Sequence, residues 1–311
     1  MNTLLNKVVR MLVALILAGG GLALTGSSAL AADVSIELCA ETGNVTMPDS
    51  VSVPIWGFGI PTTPGDCSTA VANLPGPVLE VNEGDVVTVT VNSDLGGHVA
   101  TFEVPGLPVT PLGGNQFRFT ASRAGTFTYQ SDGDSGRQMA MGLYGALIVR
   151  PVGESAGFSA GQCSNTAGTA YGSSFDGECV LVLSSLDPNF NADPDNFNMY
   201  NYHATYWLIN GKSYPDTAPL TAAEGSTVLL RYVNAGYDNT SMMLLGMHEQ
   251  VVARDAYLLN NSFLADAETI PAGATEDAFV TVLPYSSAPT SNGYPLYNRQ
   301  LHEGMMTFFQ P

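Results

Sequence analysis

Pro77-Val78-Leu79-Glu80-Val81-Asn82-Glu83-Gly84-Asp85-Val86-Val87-Thr88-Val89-Thr90-Val91-Asn92 decides the architecture of this 311-residue chain. It reads as a short strand, a tight turn in which Gly84 supplies a permissive backbone, and a buried strand. The same design returns in the second half, where Pro219-Leu220 leads to Glu224-Gly225-Ser226 and a strand ending Val233-Asn234. Five positions separate Leu from Gly both times. Each half also closes on a glycine followed by an apolar run, Gly142 before 143–149 and Gly304 before 305–309. An internal repeat of this kind predicts two sandwiches of one design.

Short β-rich runs continue outward from the repeat at 51–60, 78–81, 86–91, 117–120, 126–130, 143–149, 180–183, 227–233, 251–253, 279–283 and 305–309. Gly, Pro, Asn and Asp separate them, and sustained helical periodicity is absent, so an all-β fold is expected. A Ser/Gly/Thr-rich segment at 153–178 reads as the linker, giving domains at 32–152 and 179–311. Composition agrees. Charged residues are only 12% of the chain against 45% hydrophobic, which excludes coiled coils, and the apolar surface is sufficient to fold. Twenty-eight acids against ten bases leave −18, a balance that repels phosphate backbones and anionic headgroups. Neither a nucleic acid nor a membrane surface is an expected partner.

Residues 1–31 read as a signal peptide: Lys7 and Arg10, an apolar run over 11–24, then Ala29-Leu30-Ala31 as the cleavage site. Nothing later reaches the length a bilayer requires. Losing Lys7 and Arg10 takes the net charge from −18 to −20. A secreted, periplasmic or cell-surface location follows, and it makes disulfides of the four cysteines. Proximity in sequence favours Cys39 with Cys67 and Cys163 with Cys179 among the three pairings.

Three segments of the first half form a set: Gly76-Pro77-Val78-Leu79 with Glu83-Gly84-Asp85, Gly125-Thr126-Phe127-Thr128-Tyr129 and Gly142-Leu143-Tyr144-Gly145-Ala146-Leu147-Ile148-Val149. The second half adds Leu208-Ile209-Asn210-Gly211-Lys212-Ser213-Tyr214-Pro215-Asp216, Arg231-Tyr232-Val233-Asn234-Ala235, Val251-Val252-Ala253-Arg254-Asp255 and Gly304-Met305-Met306. On these residues the chain resembles the multicopper oxidases. The resemblance implies two cupredoxin-like Greek-key β-sandwich domains. It also implies a homo-oligomer, since two-domain relatives such as small laccases and copper nitrite reductases are trimers.

Where that family carries copper ligands, this sequence reads differently. Its Tyr-His-Ser-His run is matched by Tyr129-Gln130-Ser131-Asp132, and the His-x-His-Gly element by Phe102-Glu103-Val104-Pro105-Gly106. The histidine positions of the run before Val251 hold Thr240, Met243, Leu245 and Met247, with His248 one place beyond. The cysteine position holds Asn298. Blue copper needs a thiolate, and the family's trinuclear cluster uses eight imidazoles, whereas this chain has His98, His203, His248 and His302. No cofactor and no catalytic residue is therefore expected, and a non-catalytic structural or binding module is the reading adopted. The competing reading is a copper-dependent oxidoreductase with an atypical site drawn from Met243, Met247, His248, His302 and Met305, because thioethers bind Cu(I). Asp187, Asn189, Asn191, Asp193 and Asp195 alternate along one loop as calcium ligands do, but Ala192 and Asn198 stand where an EF-hand register needs Gly and Glu. Gly133-Asp134-Ser135-Gly136 is similar to a serine-protease nucleophile segment, yet it lacks the upstream histidine motif and reads as a turn.

Overall fold

The computed structural model describes residues 31–154, 163–300 and 304–311. The 1–31 signal reading therefore lies outside the described residues up to position 30, as do 155–162 of the expected linker and His302. Val86–Asp94 shows the rule that builds the first half: Val87, Val89 and Val91 are buried while the intervening threonines are half-exposed, as period-two strand geometry dictates. It sits in a five-stranded sheet ordered Ser52–Gly59, Asp33–Thr46, Val86–Asp94, Gln116–Thr120, Thr110–Gly113. A three-stranded sheet, Leu79–Asn82, Tyr144–Arg150 and Gly125–Gln130, closes over it. Leu38, Val89 and Phe119 share one core with Phe127, Tyr129 and Leu147.

The second half repeats the plan. Tyr206–Ile209, Gly177–Leu186, Thr227–Asn234, Thr275–Thr281, Glu249–Arg254 and Tyr257–Ala265 form one sheet, to which Cys163–Ser164 adds beside Gly177–Leu186. The other runs Leu220–Thr221, Met306–Gln310, Tyr294–Asn298, Thr240–Leu244, Ala267–Ile270. Leu181, Leu230 and Val280 pack with Met242, Leu296 and Phe309 between them.

Pairing direction makes the two halves equivalent. Asp33–Thr46 runs parallel to Val86–Asp94, and Gly177–Leu186 runs parallel to Thr227–Asn234. Likewise Leu79–Asn82 is parallel to Tyr144–Arg150, and Leu220–Thr221 to Met306–Gln310. At the repeated turns Gly84 has φ +96° and Gly225 φ +81°, backbone that side chains with a Cβ disfavour. Each glycine N–H donates across its sandwich, to Ala121 O and Val282 O at 2.8 Å.

Tyr144–Arg150 and Gly177–Leu186 are buried on both faces. Leu147 and Val149 face the first core, Leu181 and Leu183 the second, and Tyr144, Ala146 and Ile148 meet Val180, Val182 and Val233 at the junction. The described part of the expected linker is structured rather than bare. Cys163 lies opposite Cys179, and Gly168–Ala170 and Ser173–Phe175 form a hairpin that buries Phe175 against Leu229 and Phe279. Both expected disulfides, Cys39–Cys67 and Cys163–Cys179, are formed. Among the described residues no helix is long and apolar enough to cross a membrane.

Candidate functional site

Two segments far apart in sequence meet in the second sandwich. Thr240–Leu244 pairs antiparallel with Tyr294–Asn298, which sets Met242 opposite Asn298 and Met243 opposite Tyr297. Thr240, Met242 and Leu244 turn inward, whereas Ser241 and Met243 occupy the other face. Asn298 is buried, donates its backbone N–H to Met305 O at 2.8 Å, and accepts from Gln300 N at 3.1 Å through its side-chain oxygen. Thr240 and Met305 line a chamber of about 10 Å³, room for one water, with Ser184, Ser185, Trp207 and Asn234.

The four described residues among those considered for copper are not gathered in one place. Met305 lines that chamber, whereas Met247 lines a separate groove beside His248 and accepts from Leu283 N at 3.5 Å. Met243 accepts from the Tyr297 hydroxyl at 3.3 Å on the opposite face of its strand. His248 is exposed and paired with Asp266 at 2.5 Å, and His302 lies outside the described residues. Among the described residues one set of three potential metal-ligating side chains converges, Cys39, Glu41 and Cys67, and the disulfide consumes both of its thiols.

In the first sandwich the residues aligned with the family's histidine run are knit into a hydrogen-bonded network. Gln130 Nε2 donates to Glu103 Oε1 at 2.6 Å, over a backbone pair between the same two residues. Ser131 Oγ is fully buried, accepts from Thr101 N at 2.8 Å and donates to Gln138 Oε1 at 2.6 Å. Thr101 Oγ1 donates to Asp132 Oδ1 at 2.7 Å. Gln138 Nε2 continues the chain to Asp134 Oδ2 at 2.8 Å, and that carboxylate meets His98 Nδ1 at 2.8 Å. His98 Nε2 reaches Asp195 at 3.3 Å, and its ring tilts on Trp56 with centroids 4.7 Å apart. Asp134 and Ser135 have φ of 54° and 57°, so Gly133-Asp134-Ser135-Gly136 is a strained turn feeding the short helix Arg137–Met141. Ser135 is exposed there.

The alternating acids of 187–195 serve separate purposes. Asp187 caps the helix Pro188–Ala192, accepting from Asn189 N at 2.9 Å and His203 N at 2.8 Å. Asn191 donates to Pro54 O at 2.8 Å, Asp193 holds Asn196, and Asp195 holds His98; Asn189 is exposed. An N-cap needs its carboxylate on backbone N–H groups, which draws Asp187 away from its neighbours.

Buried charge is what sequence reading missed. Arg150 bridges Glu80 at 2.8 Å and Glu178 at 2.5 Å; Arg231 bridges Glu178 at 2.6 Å and Asp277 at 3.5 Å. Thr126 Oγ1 donates to Asp277 at 2.7 Å, and the Tyr171 hydroxyl donates to the same carboxylate. Burial raises the Asp277 pKa, against the opposing pull of Arg231. Glu249, touched by the Tyr232 hydroxyl at 2.5 Å, is pushed up to about 7 by burial, and burial likewise raises Glu276 to about 7. The available signal was a charged residue inside an otherwise apolar run, Glu178 in Gly177–Leu186 and Arg231 in Thr227–Asn234.

No protein-family profile matches the sequence. The chain is 26% identical over 239 residues to Laccase-3 of Oryza sativa subsp. japonica, covering 71% of this chain and 41% of the laccase. Putative laccase-17 of the same plant gives 27% over 233 residues, 68% of this chain and 40% of its own. This chain thus spans about two fifths of the length of the curated relatives it matches. Among solved structures it superposes on the blue copper oxidase of Nitrosomonas europaea with a TM-score of 0.69 at 20% identity, covering 88% of this chain and 85% of that one. The copper nitrite reductase of Nitrosomonas europaea gives 0.66 at 20% identity, with 89% and 94% covered.

Proposed function

We propose that this chain, whose fold is the multicopper-oxidase-like cupredoxin fold, is an exported module that works without copper, binding or scaffolding rather than catalysing electron transfer. The observation that carries the reading is Asn298: buried, hydrogen-bonded to its own strand neighbours, and standing where the resemblance puts a thiolate. Copper does not fit these residues. A blue-copper centre needs a thiolate with imidazoles, and all four cysteines are in disulfides. Gln130 and Asp132, at the histidine positions of that run, are engaged by Glu103 and Thr101, so the first half offers an amide and a hydrogen-bonded carboxylate where imidazole nitrogens would be needed. A rigid scaffold kept without its metal acts through its surfaces.

The reading includes export with cleavage after Ala31 and assembly as a homo-oligomer, a trimer by the resemblance. The test is one preparation of the chain matured in a copper-supplied periplasm. Mass spectrometry of its N-terminus, elemental analysis and light scattering are expected to give Ala32, copper far below one atom per chain, and a mass above the monomer. Stoichiometric copper with an absorbance or paramagnetic signature would replace this reading with the copper-dependent oxidoreductase. A stable monomer would remove the assembly.

A further inference from the structure

The strand pair at the edge of the second sandwich carries polar groups that nothing in the protein satisfies. Ser185 stands directly opposite Trp207 across the antiparallel pair. Ser185 Oγ and Trp207 Nε1 are buried without a hydrogen-bond partner and line the small chamber beside Thr240 and Met305, whereas the adjacent Ser184 turns its side chain to the other face, toward the Tyr144 hydroxyl. Ser185 is more than nine-tenths buried. Buried polar groups in native proteins find partners, so two orphans facing one chamber point to something that enters it.

The chamber has a wider antechamber. Trp207 and Asp238 line both it and an open cleft of about 560 Å³, a size ordinary for small-molecule sites. Tyr202 and Tyr237, edge to face with centroids 5.3 Å apart, form part of its wall. His203, Asp238 and Asn239 stand around it and are exposed. Aromatic rings together with planar polar side chains match a ligand that is apolar on its faces and hydroxylated at its rim.

We propose that this cleft binds a saccharide, with the sugar ring against the Trp207, Tyr202 and Tyr237 wall and one hydroxyl seated in the chamber against Ser185 Oγ and Trp207 Nε1. A hydroxyl both accepts from the indole N–H, which can only donate, and donates to a serine oxygen. An organic ammonium brings donors alone and leaves the indole unsatisfied. A phenol supplies one hydroxyl but leaves Asp238 and Asn239 unmatched. The proposal rests on the binding-module reading and gives it a ligand class.

The chain has two tryptophans, so indole Nε1–H resonances report the site directly. Titration of the full mature protein with the methyl glycosides of glucose, galactose and N-acetylglucosamine is expected to shift the Trp207 indole peak saturably and leave that of Trp56 in place. Trp207→Phe identifies the peak by its loss and abolishes binding measured by calorimetry. Ser185→Ala weakens binding roughly three- to tenfold, the effect of one hydrogen bond. Asp238→Asn, at an exposed position, keeps the test alive if the chamber variant fails to fold. No saturable shift with any glycoside overturns the proposal, as does binding indifferent to both Ser185→Ala and Asp238→Asn. A shift produced by tetramethylammonium or guaiacol but by no sugar also overturns it. Copper measured on the same sample separates the two claims: a copper-loaded protein that binds sugar sinks the copper-free reading alone, and a copper-free protein blind to sugar sinks the cleft alone.

Discussion

Glu249 illustrates what one side chain can do to the stability of this molecule. It is 1% exposed, and the partner it finds is the phenol of Tyr232, whose hydrogen bond opposes the cost of burying the charge without cancelling it. Its folded pKa, raised to about 7, lies above the ordinary value of 4.5. An unfolded chain therefore ionises this carboxyl first as pH rises, and between those two values the folded state holds the extra proton. Stability from this group is fully present below about 4.5 and lost as pH climbs through about 7. Glu276, raised in the same direction, adds to the effect, moderated by Arg254. Unfolding free energies from urea titration are expected to be higher near pH 5 than near pH 8, by on the order of 3 kcal/mol for Glu249, with midpoints moving in the same direction. Glu249→Gln keeps an acceptor for Tyr232 and removes the titration. It is expected to raise the midpoint near pH 8, leave it nearly unchanged near pH 5, and flatten the profile. An unchanged slope in the variant would assign the pH dependence elsewhere.

Among elements, the turns before the two long inner strands are the clearest test of the repeat. A Cβ at Gly84 would meet nothing closer than 3.6 Å and at Gly225 nothing within 4 Å, so alanine there is penalised by backbone conformation alone. Gly84→Ala and Gly225→Ala are expected to cost about 1 to 2 kcal/mol each, similar to one another, in denaturant unfolding. Gly211→Ala differs in kind. Its φ of +76° is also left-handed, but a Cβ would overlap the Leu74 carbonyl of the first half, and a loss well beyond the other two is expected. Removing Cys163–Cys179 as a serine pair is expected to cost about 3 kcal/mol, since it closes a 16-residue separation. These elements were legible because turn chemistry and apolar runs are local: Gly84 and Gly225 announce strand, turn and strand without any tertiary information. The close contact of Gly211 with Leu74 was not, because it depends on how two loop segments 137 positions apart are brought together. For the same reason the alternating Asp and Asn of 187–195 left a cation loop open beside a plain turn, whereas Asp187 is a helix cap and Asp195 a partner for His98. The short strands at 163–175 were invisible, as two- and three-residue pairings leave no periodicity.

At the scale of the molecule, what joins the halves is charge as much as apolar surface. Arg150 and Arg231 place two positive charges among Glu80, Glu178 and Asp277, and the chain crosses from the first half to the second at the Arg150–Glu178 contact. Thr126 from the first half closes it by contacting both Asp277 and Arg231. Apart from the partly buried Glu80, every one of these groups is deeply buried, so salt has little access for screening. Removing one member of such a set leaves an uncompensated charge in a dry interior, which is worse than lacking the set altogether. Arg231→Met leaves Asp277 without a guanidinium and Glu178 with Arg150 alone, and is expected to destabilise by about 3 to 5 kcal/mol. Adding Glu178→Gln and Asp277→Asn to Arg231→Met removes the excess buried negative charge and is expected to recover part of that loss, while Arg150 keeps Glu80. Denaturant unfolding of the single and triple variants at low and high salt measures both terms. The single variant is expected to unfold at midpoints nearly independent of salt, and the triple to lie between it and the parent. A triple variant less stable than Arg231→Met would mean that the carboxylates stabilise the junction even without the guanidinium, through hydrogen bonds from Thr126 and Tyr171 rather than through charge.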